Sequence, residues 1–118
     1  MSTSIFDNLD KICSGQWNPH PSFKGVFLKT TTCGADTGNA FSAHLVRIEP
    51  GCSIGLHIHE TQCELHEVAE GDGSCVLSGK SIRYAPGVSA VMPMGEEHEV
   101  LAGENGLKIL AKFVPALV

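Results

Sequence analysis

The sequence predicts an all-β protein built as one antiparallel domain. Short segments rich in Val, Ile, Phe and Thr recur at spacings of roughly 8–12 residues, the pattern of a sandwich or barrel. Turn residues punctuate them. After residue 23 no stretch keeps a 3.6-residue apolar period long enough for a packed helix. At 118 residues the chain is the size of a single domain, with an N-terminal segment over 1–23 and a barrel over 24–114.

The elements follow in order. Ile5, Phe6, Leu9 and Ile12 fit a short amphipathic helix, which Trp17-Asn18-Pro19-His20-Pro21 must end, because two prolines cannot share a helix interior. Strands are then expected over 24–33, 40–49, 53–60, 63–70, 73–79, 81–85, 88–92, 97–102 and 106–114. Residues 34–39 read as a loop and Pro50-Gly51 as a turn. Gly71-Asp72-Gly73 reads as a hairpin tip, Ser78-Gly79-Lys80 and Pro86-Gly87 as turns, and Glu104-Asn105-Gly106 as the last hairpin.

Composition excludes several function classes. Eight Lys+Arg stand against thirteen Asp+Glu, a net charge of −5, and no basic block offers a phosphate-binding surface, so no nucleic-acid partner is expected. No apolar run approaches the ~18 residues of a membrane span, and the N-terminus lacks a signal-peptide pattern, so neither a membrane partner nor export is expected. Five cysteines, without a C-x-x-C pair, read as reduced thiols in a cytoplasmic protein.

The chemistry sits in the histidines. His57 and His59 alternate along an expected strand, so both imidazoles leave the same face, and two imidazoles together can chelate a divalent metal. Glu64 follows a turn and would return beside them with one anionic oxygen. His98 lies far along the chain, where only closure of the sheet would bring it to the same place. An H-x-H pair alone is weak, since most are hydrogen-bonded or surface histidines.

The surroundings add specificity. Gly51, His57, His59, Glu64 and Gly71 read G-x5-H-x-H-x4-E-x6-G, and Gly87, Pro93, Gly95 and His98 read G-x5-P-x-G-x2-H sixteen positions on. These two stretches resemble the paired motifs of the cupin superfamily, with a short gap between them as in small microbial members. The resemblance extends over about residues 40–114. It implies a jelly-roll β-barrel of about nine to eleven strands, holding one divalent transition metal (Fe, Mn, Ni or Zn) on His57, His59, Glu64 and His98. It also implies a homodimer, with the run Gly25-Val26-Phe27-Leu28 as a candidate contact. Two positions depart from the pattern: Ala102 stands where Asn is usual, and Val88 where an acidic residue is common.

Other residues carry open readings. His66, on the same face as Glu64, is either a proton shuttle or supporting partner in the cavity, or a hydrogen-bonded interior histidine. His44 reads as an interface or surface residue and His20 as solvent-exposed. Glu60, Glu67, Glu96 and Glu97 read as rim charges, Met92 or Met94 as a possible cavity wall, and Arg83 and Tyr84 receive no role. Four protein ligands would leave coordination positions open, which suits catalysis. The expected function is therefore a metal-dependent enzyme on a small oxygen-rich metabolite, with a dioxygenase ahead of an isomerase or lyase. The alternative is a non-enzymatic small-molecule binder or regulatory protein.

Overall fold

The computed structural model describes residues 5–118. Its elements are α1 (Ile5–Ile12), β1 (Asn18–Pro19), β2 (Val26–Thr32), α2 (Gly34–Thr37), β3 (Ser42–Ile48), β4 (Ser53–His57), β5 (Cys63–Leu77), β6 (Lys80–Tyr84), β7 (Ser89–Met92) and β8 (His98–Val114). Every strand pair is antiparallel.

Two long strands organise the rest. β5 and β8 run side by side from Cys63↔Val114 to Leu77↔His98. Their ladder breaks halfway, where Gly71 faces Leu107 but Gly73 faces Ala102, leaving extra chain bulged out of β8. Such a bulge bends the pair and lets each strand serve two sheets. Beyond the bend on one side, β3 pairs β8 through Ser42↔Phe113 to Ile48↔Leu107, β2 and β1 extend that sheet, and β7 joins β5. On the other side β4 pairs the start of β8 and β6 pairs the end of β5. The result is the antiparallel β-roll expected, with its apolar side chains enclosed.

Both expected hairpin tips at 71–73 and 104–106 lie inside continuous strands instead. Gly71 has φ +91°, and a Cβ there would sit 2.0 Å from the Gly106 carbonyl oxygen, so this corner admits only glycine. The Asp72 carboxylate accepts the Asn105 backbone N–H at 3.2 Å and ties the bulge down. Fusing these segments and adding the two-residue β1 gives eight strands among the described residues, where nine were read from the sequence.

The core between the sheets includes Val26, Val46, Val68, Cys75, Val100, Leu107 and Ile109. α1 closes it from outside by burying Phe6, which stacks on Trp17 at 5.9 Å. The run Gly25–Leu28, expected as a contact between subunits, is largely covered by the chain's own residues. Val26 is fully buried, and the Arg47 guanidinium lies 4.7 Å from both the Phe27 and Trp17 rings. All five cysteines are free thiols.

Candidate metal centre

Four side chains from three strands and one loop converge inside the roll. His57 ends β4, and His98 opens β8 directly opposite it, with ring centroids 4.2 Å apart. His59 lies just past the end of β4, in a segment held by the Gly95 N–H donating to the His59 carbonyl at 2.9 Å. Gly95 itself has φ +80°, the left-handed turn that Pro93-Met94-Gly95 needs to deliver His98. Glu64 comes from β5 between Met92 and Phe113. One ligand atom from each of His57, His59, Glu64 and His98 lies within 4.8 Å of the others.

The hydrogen bonds leave these atoms free to bind a cation. His57 Nδ1 sits 2.7 Å from the Gly55 carbonyl and His98 Nδ1 sits 3.1 Å from the Glu96 carbonyl. A carbonyl only accepts, so each Nδ1 carries the proton and each Nε2 presents a bare lone pair. His98 Nε2 then faces Glu64 Oε1 at 3.3 Å, and His59 Nε2 lies 3.5 Å from the same oxygen. Both Glu64 Oε1 and His98 Nε2 are buried without a hydrogen-bond partner. Electron-rich atoms brought together in this way repel each other unless a cation lies among them. The donor set of imidazoles plus one carboxylate suits Fe, Mn, Ni or Zn.

The other carboxylate oxygen is already committed. Glu64 Oε2 lies 3.0 Å from His66 Nε2, and His66 Nδ1 lies 2.7 Å from the Tyr84 hydroxyl. Tyr84 is fully buried and His66 almost so. His66 is thus the hydrogen-bonded interior histidine of one expectation and the partner of Glu64 in the other.

Burial sets the direction of several titrations. It pushes His57 and His59 below the ordinary imidazole value, so both favour the neutral, metal-binding form. Burial also pushes the Glu64 carboxyl up, but the hydrogen bond from His66 and the charge on that ring outweigh it and hold the group well below the usual carboxylate range. Burial would lower His66 too, yet the adjoining Cys75 and Glu64 raise it to about 9. The Tyr84 hydroxyl is raised by burial and by Cys75.

A cavity of about 140 Å³ opens beside three of the four groups, His57, His59 and Glu64. His44 and His20 line it, which corrects both of their sequence readings. His44 is buried, with Nδ1 3.1 Å from Thr30 Oγ1 and Nε2 3.0 Å from Ser42 Oγ. Its strand runs through the middle of a sheet, so its face points inward. His20 is half-buried and packs on Phe23 at 4.7 Å, because β1 pairs with β2 and carries the histidine to the cavity wall. Burial pushes both imidazoles below their ordinary value. Met92 belongs to the core and Met94 is exposed, so neither walls the cavity. Glu60, Glu96 and Glu97 are exposed as expected, while Glu67 is half-buried on β5 and pairs with Lys112 at 2.5 Å.

Residues 44–111 match the Cupin domain family. The chain belongs to the cupin family. Among its relatives, this cupin is 32% identical over 82 residues to L-ectoine synthase of Bordetella parapertussis, a match covering 68% of this chain and 62% of the relative. It is 30% identical over 70 residues to an oxalate-binding protein of Thermotoga maritima, covering 58% of each chain. The matched region thus spans about three-fifths of those relatives' lengths. Among solved structures, a predicted oxalate decarboxylase of Thermotoga maritima superposes with a TM-score of 0.79 at 23% identity, over 89% of this chain and 95% of that one. Among the described residues of this cupin, no helix is long and apolar enough to cross a membrane.

Sequence reasoning missed Tyr84, the far end of the Glu64–His66 chain. The two strands meet with Gly73 opposite Tyr84, a pairing that no local pattern announces. It also missed the cavity roles of His44 and His20.

Proposed function

We propose that His57, His59, Glu64 and His98 hold one divalent transition metal ion, and that this cupin is a metal-dependent enzyme acting on a small metabolite through chelating oxygen atoms. One observation carries the reading: the buried, unpartnered Glu64 Oε1 and His98 Nε2 face each other at 3.3 Å. A bound metal would supply Lewis-acid polarisation or, as iron, dioxygen chemistry, and the dioxygenase stands ahead of the isomerase or lyase. The chain's own residues do the rest. His66 and Tyr84 fix the Glu64 carboxylate so that one oxygen is committed and the other is free. Phe113 stands edge-on to His59 at 4.9 Å, covering that ligand with an apolar ring and limiting water near it.

A second reading, a small-molecule binder without turnover, is favoured by a different observation. The ring nitrogens of His66 and of His44 are all engaged by protein partners, which leaves neither imidazole idle to move a substrate proton. Relatedness to the oxalate-binding protein points the same way. We take the protein as a cytoplasmic homodimer in both readings. The outward-facing Leu56, Ile58 and Leu101 around β4 and β8 support a paired surface.

Elemental analysis of protein purified without added metal, alongside Glu64→Ala and His57→Ala, tests the ligand set. Near-stoichiometric metal in the wild type and little in either folded variant is expected; full occupancy in both variants would overturn it. Oxygen uptake on screening small chelating metabolites separates a dioxygenase from the other outcomes.

A further inference from the structure

The cavity walls differ sharply from the metal-binding end. Leu28, Val46, Ile54, Ile109, Phe113 and Leu117 form an apolar surface around the space. Among the described residues that line it there is no lysine and no arginine. Of the polar groups away from the four candidate ligands, His44 and His66 have both nitrogens engaged. Only His20 keeps a free donor. Its Nδ1 accepts the Ser22 backbone N–H at 3.0 Å, so its proton sits on Nε2.

The placement of charge then restricts the ligand. A bound divalent ion would make the ligand end of the cavity net positive, and an anionic chelating head would be favoured there. A second negative charge further along the ligand would enter an apolar space with one neutral N–H to receive it, and burying an unpaired charge is strongly unfavourable. A sugar-like ligand fares poorly too, because each hydroxyl desolvated against Leu28, Ile109 or Phe113 would lose a hydrogen bond and find none. Apolar atoms gain from the same walls. At roughly 30 Å³ per water in the liquid, the 140 Å³ space holds about five water-sized groups.

We infer that the cavity selects a monoanionic oxygen chelator carrying a compact apolar body, such as a 2-oxo or 2-hydroxy acid with an aliphatic or aromatic side chain, over dianionic or polyhydroxylated ligands. The inference rests on the metal-site reading above. Oxygen-rich chemistry is confined to the chelating head, and Leu28, Phe113 and Leu117 set specificity for the remainder.

A matched ligand series tests it on the Co(II)-loaded protein, with the visible spectrum of the metal as the readout. Straight-chain alkyl hydroxamates share one monoanionic bidentate head, so differences among them report the walls alone. From acetohydroxamate upward, the dissociation constant is expected to fall about fourfold per added methylene until the space is full, the equivalent of about 0.8 kcal/mol each. Replacing the terminal methyl of a longer member by a carboxylate is expected to weaken binding at least about tenfold. Leu28→Ser and Leu117→Ser are expected to flatten the series while leaving cobalt content unchanged. Stoichiometric cobalt with a flat series, or tighter binding of the carboxylate-ended ligand, would overturn this inference and leave the metal site standing. Failure to take up cobalt at all would overturn both.

Discussion

Tyr84→Phe is the sharpest probe of how the site is built, because it removes one oxygen atom and keeps the ring. Tyr84 has no exposed surface and His66 only 3%, so water cannot replace the lost hydroxyl. The 2.7 Å bond to His66 Nδ1 disappears, and that nitrogen is left buried and unpaired. Losing a hydrogen bond and stranding its partner costs about 1–3 kcal/mol, which urea unfolding of the metal-free protein would show as a lower midpoint at constant slope. His66 also loses the contact that fixes its ring against Glu64 Oε2 at 3.0 Å. Removing a partner that orients a metal-ligating group typically lowers metal affinity 10–100-fold. Competition against a chromophoric chelator measures that drop directly. Val26→Ala, a truncation elsewhere in the core, is the control: it should reduce stability without touching affinity. If Tyr84→Phe loses stability while its metal affinity stays within twofold of wild type, the Tyr84–His66–Glu64 chain is core structure only and does not position the carboxylate.

Acidification should release the metal. His57 and His59 are depressed below the ordinary value near ~6.5 by burial, so their neutral forms persist through that pH, and affinity should stay flat through it and fall only at lower pH, where these imidazoles take up protons. The metal-free protein should weaken over the same range, since below the unfolded-state value the unfolded chain binds protons that these two folded-state imidazoles do not yet take up. A metal affinity that stays constant at every acidic pH where the protein remains folded would rule out this ligand set. Gly71→Ala should destabilise by more than about 3 kcal/mol, because its Cβ would meet the Gly106 carbonyl and its φ is +91°; an unchanged urea midpoint would show that the corner between the sheets is not as tight as described.

Strand existence was legible wherever one face is apolar, as in β3 with His44, Val46 and Ile48 alternating inward. Continuity was not. Asp72-Gly73 and Asn105-Gly106 carry the local chemistry of a hairpin tip, and the same chemistry serves a bulged corner; only the partner strand decides between them. His57, His59, Glu64 and His98 could be singled out because their spacing is fixed by a strand, a turn and a family pattern. His66 followed from period-two alternation. His44 obeys that alternation too, but alternation cannot say which face of a sheet lies inside until the neighbouring strands are placed. His20 sits between two prolines, a sequence context that reads as exposed loop, and its burial arises from a two-residue pairing with β2.

The site and the bend depend on each other. β5 carries Glu64 and His66 on one side of the corner and Gly73, opposite Tyr84, on the other. β8 brings His98 from one side and Phe113 from the other, each strand crossing the bulge once. A straight ladder would hold Glu64 and His98 far apart, since they stand near opposite ends of paired strands. Folding those strands over at Gly71 is what brings a carboxylate oxygen within 3.3 Å of an imidazole nitrogen in an apolar interior. Such an encounter is unfavourable in itself, and the roll must be stable enough to enforce it without the cation. Its apolar core and the buried Phe6 of α1 supply that stability, and because Val46 and Ile109 belong both to this core and to the cavity wall, the fold and the ligand space share the same packing.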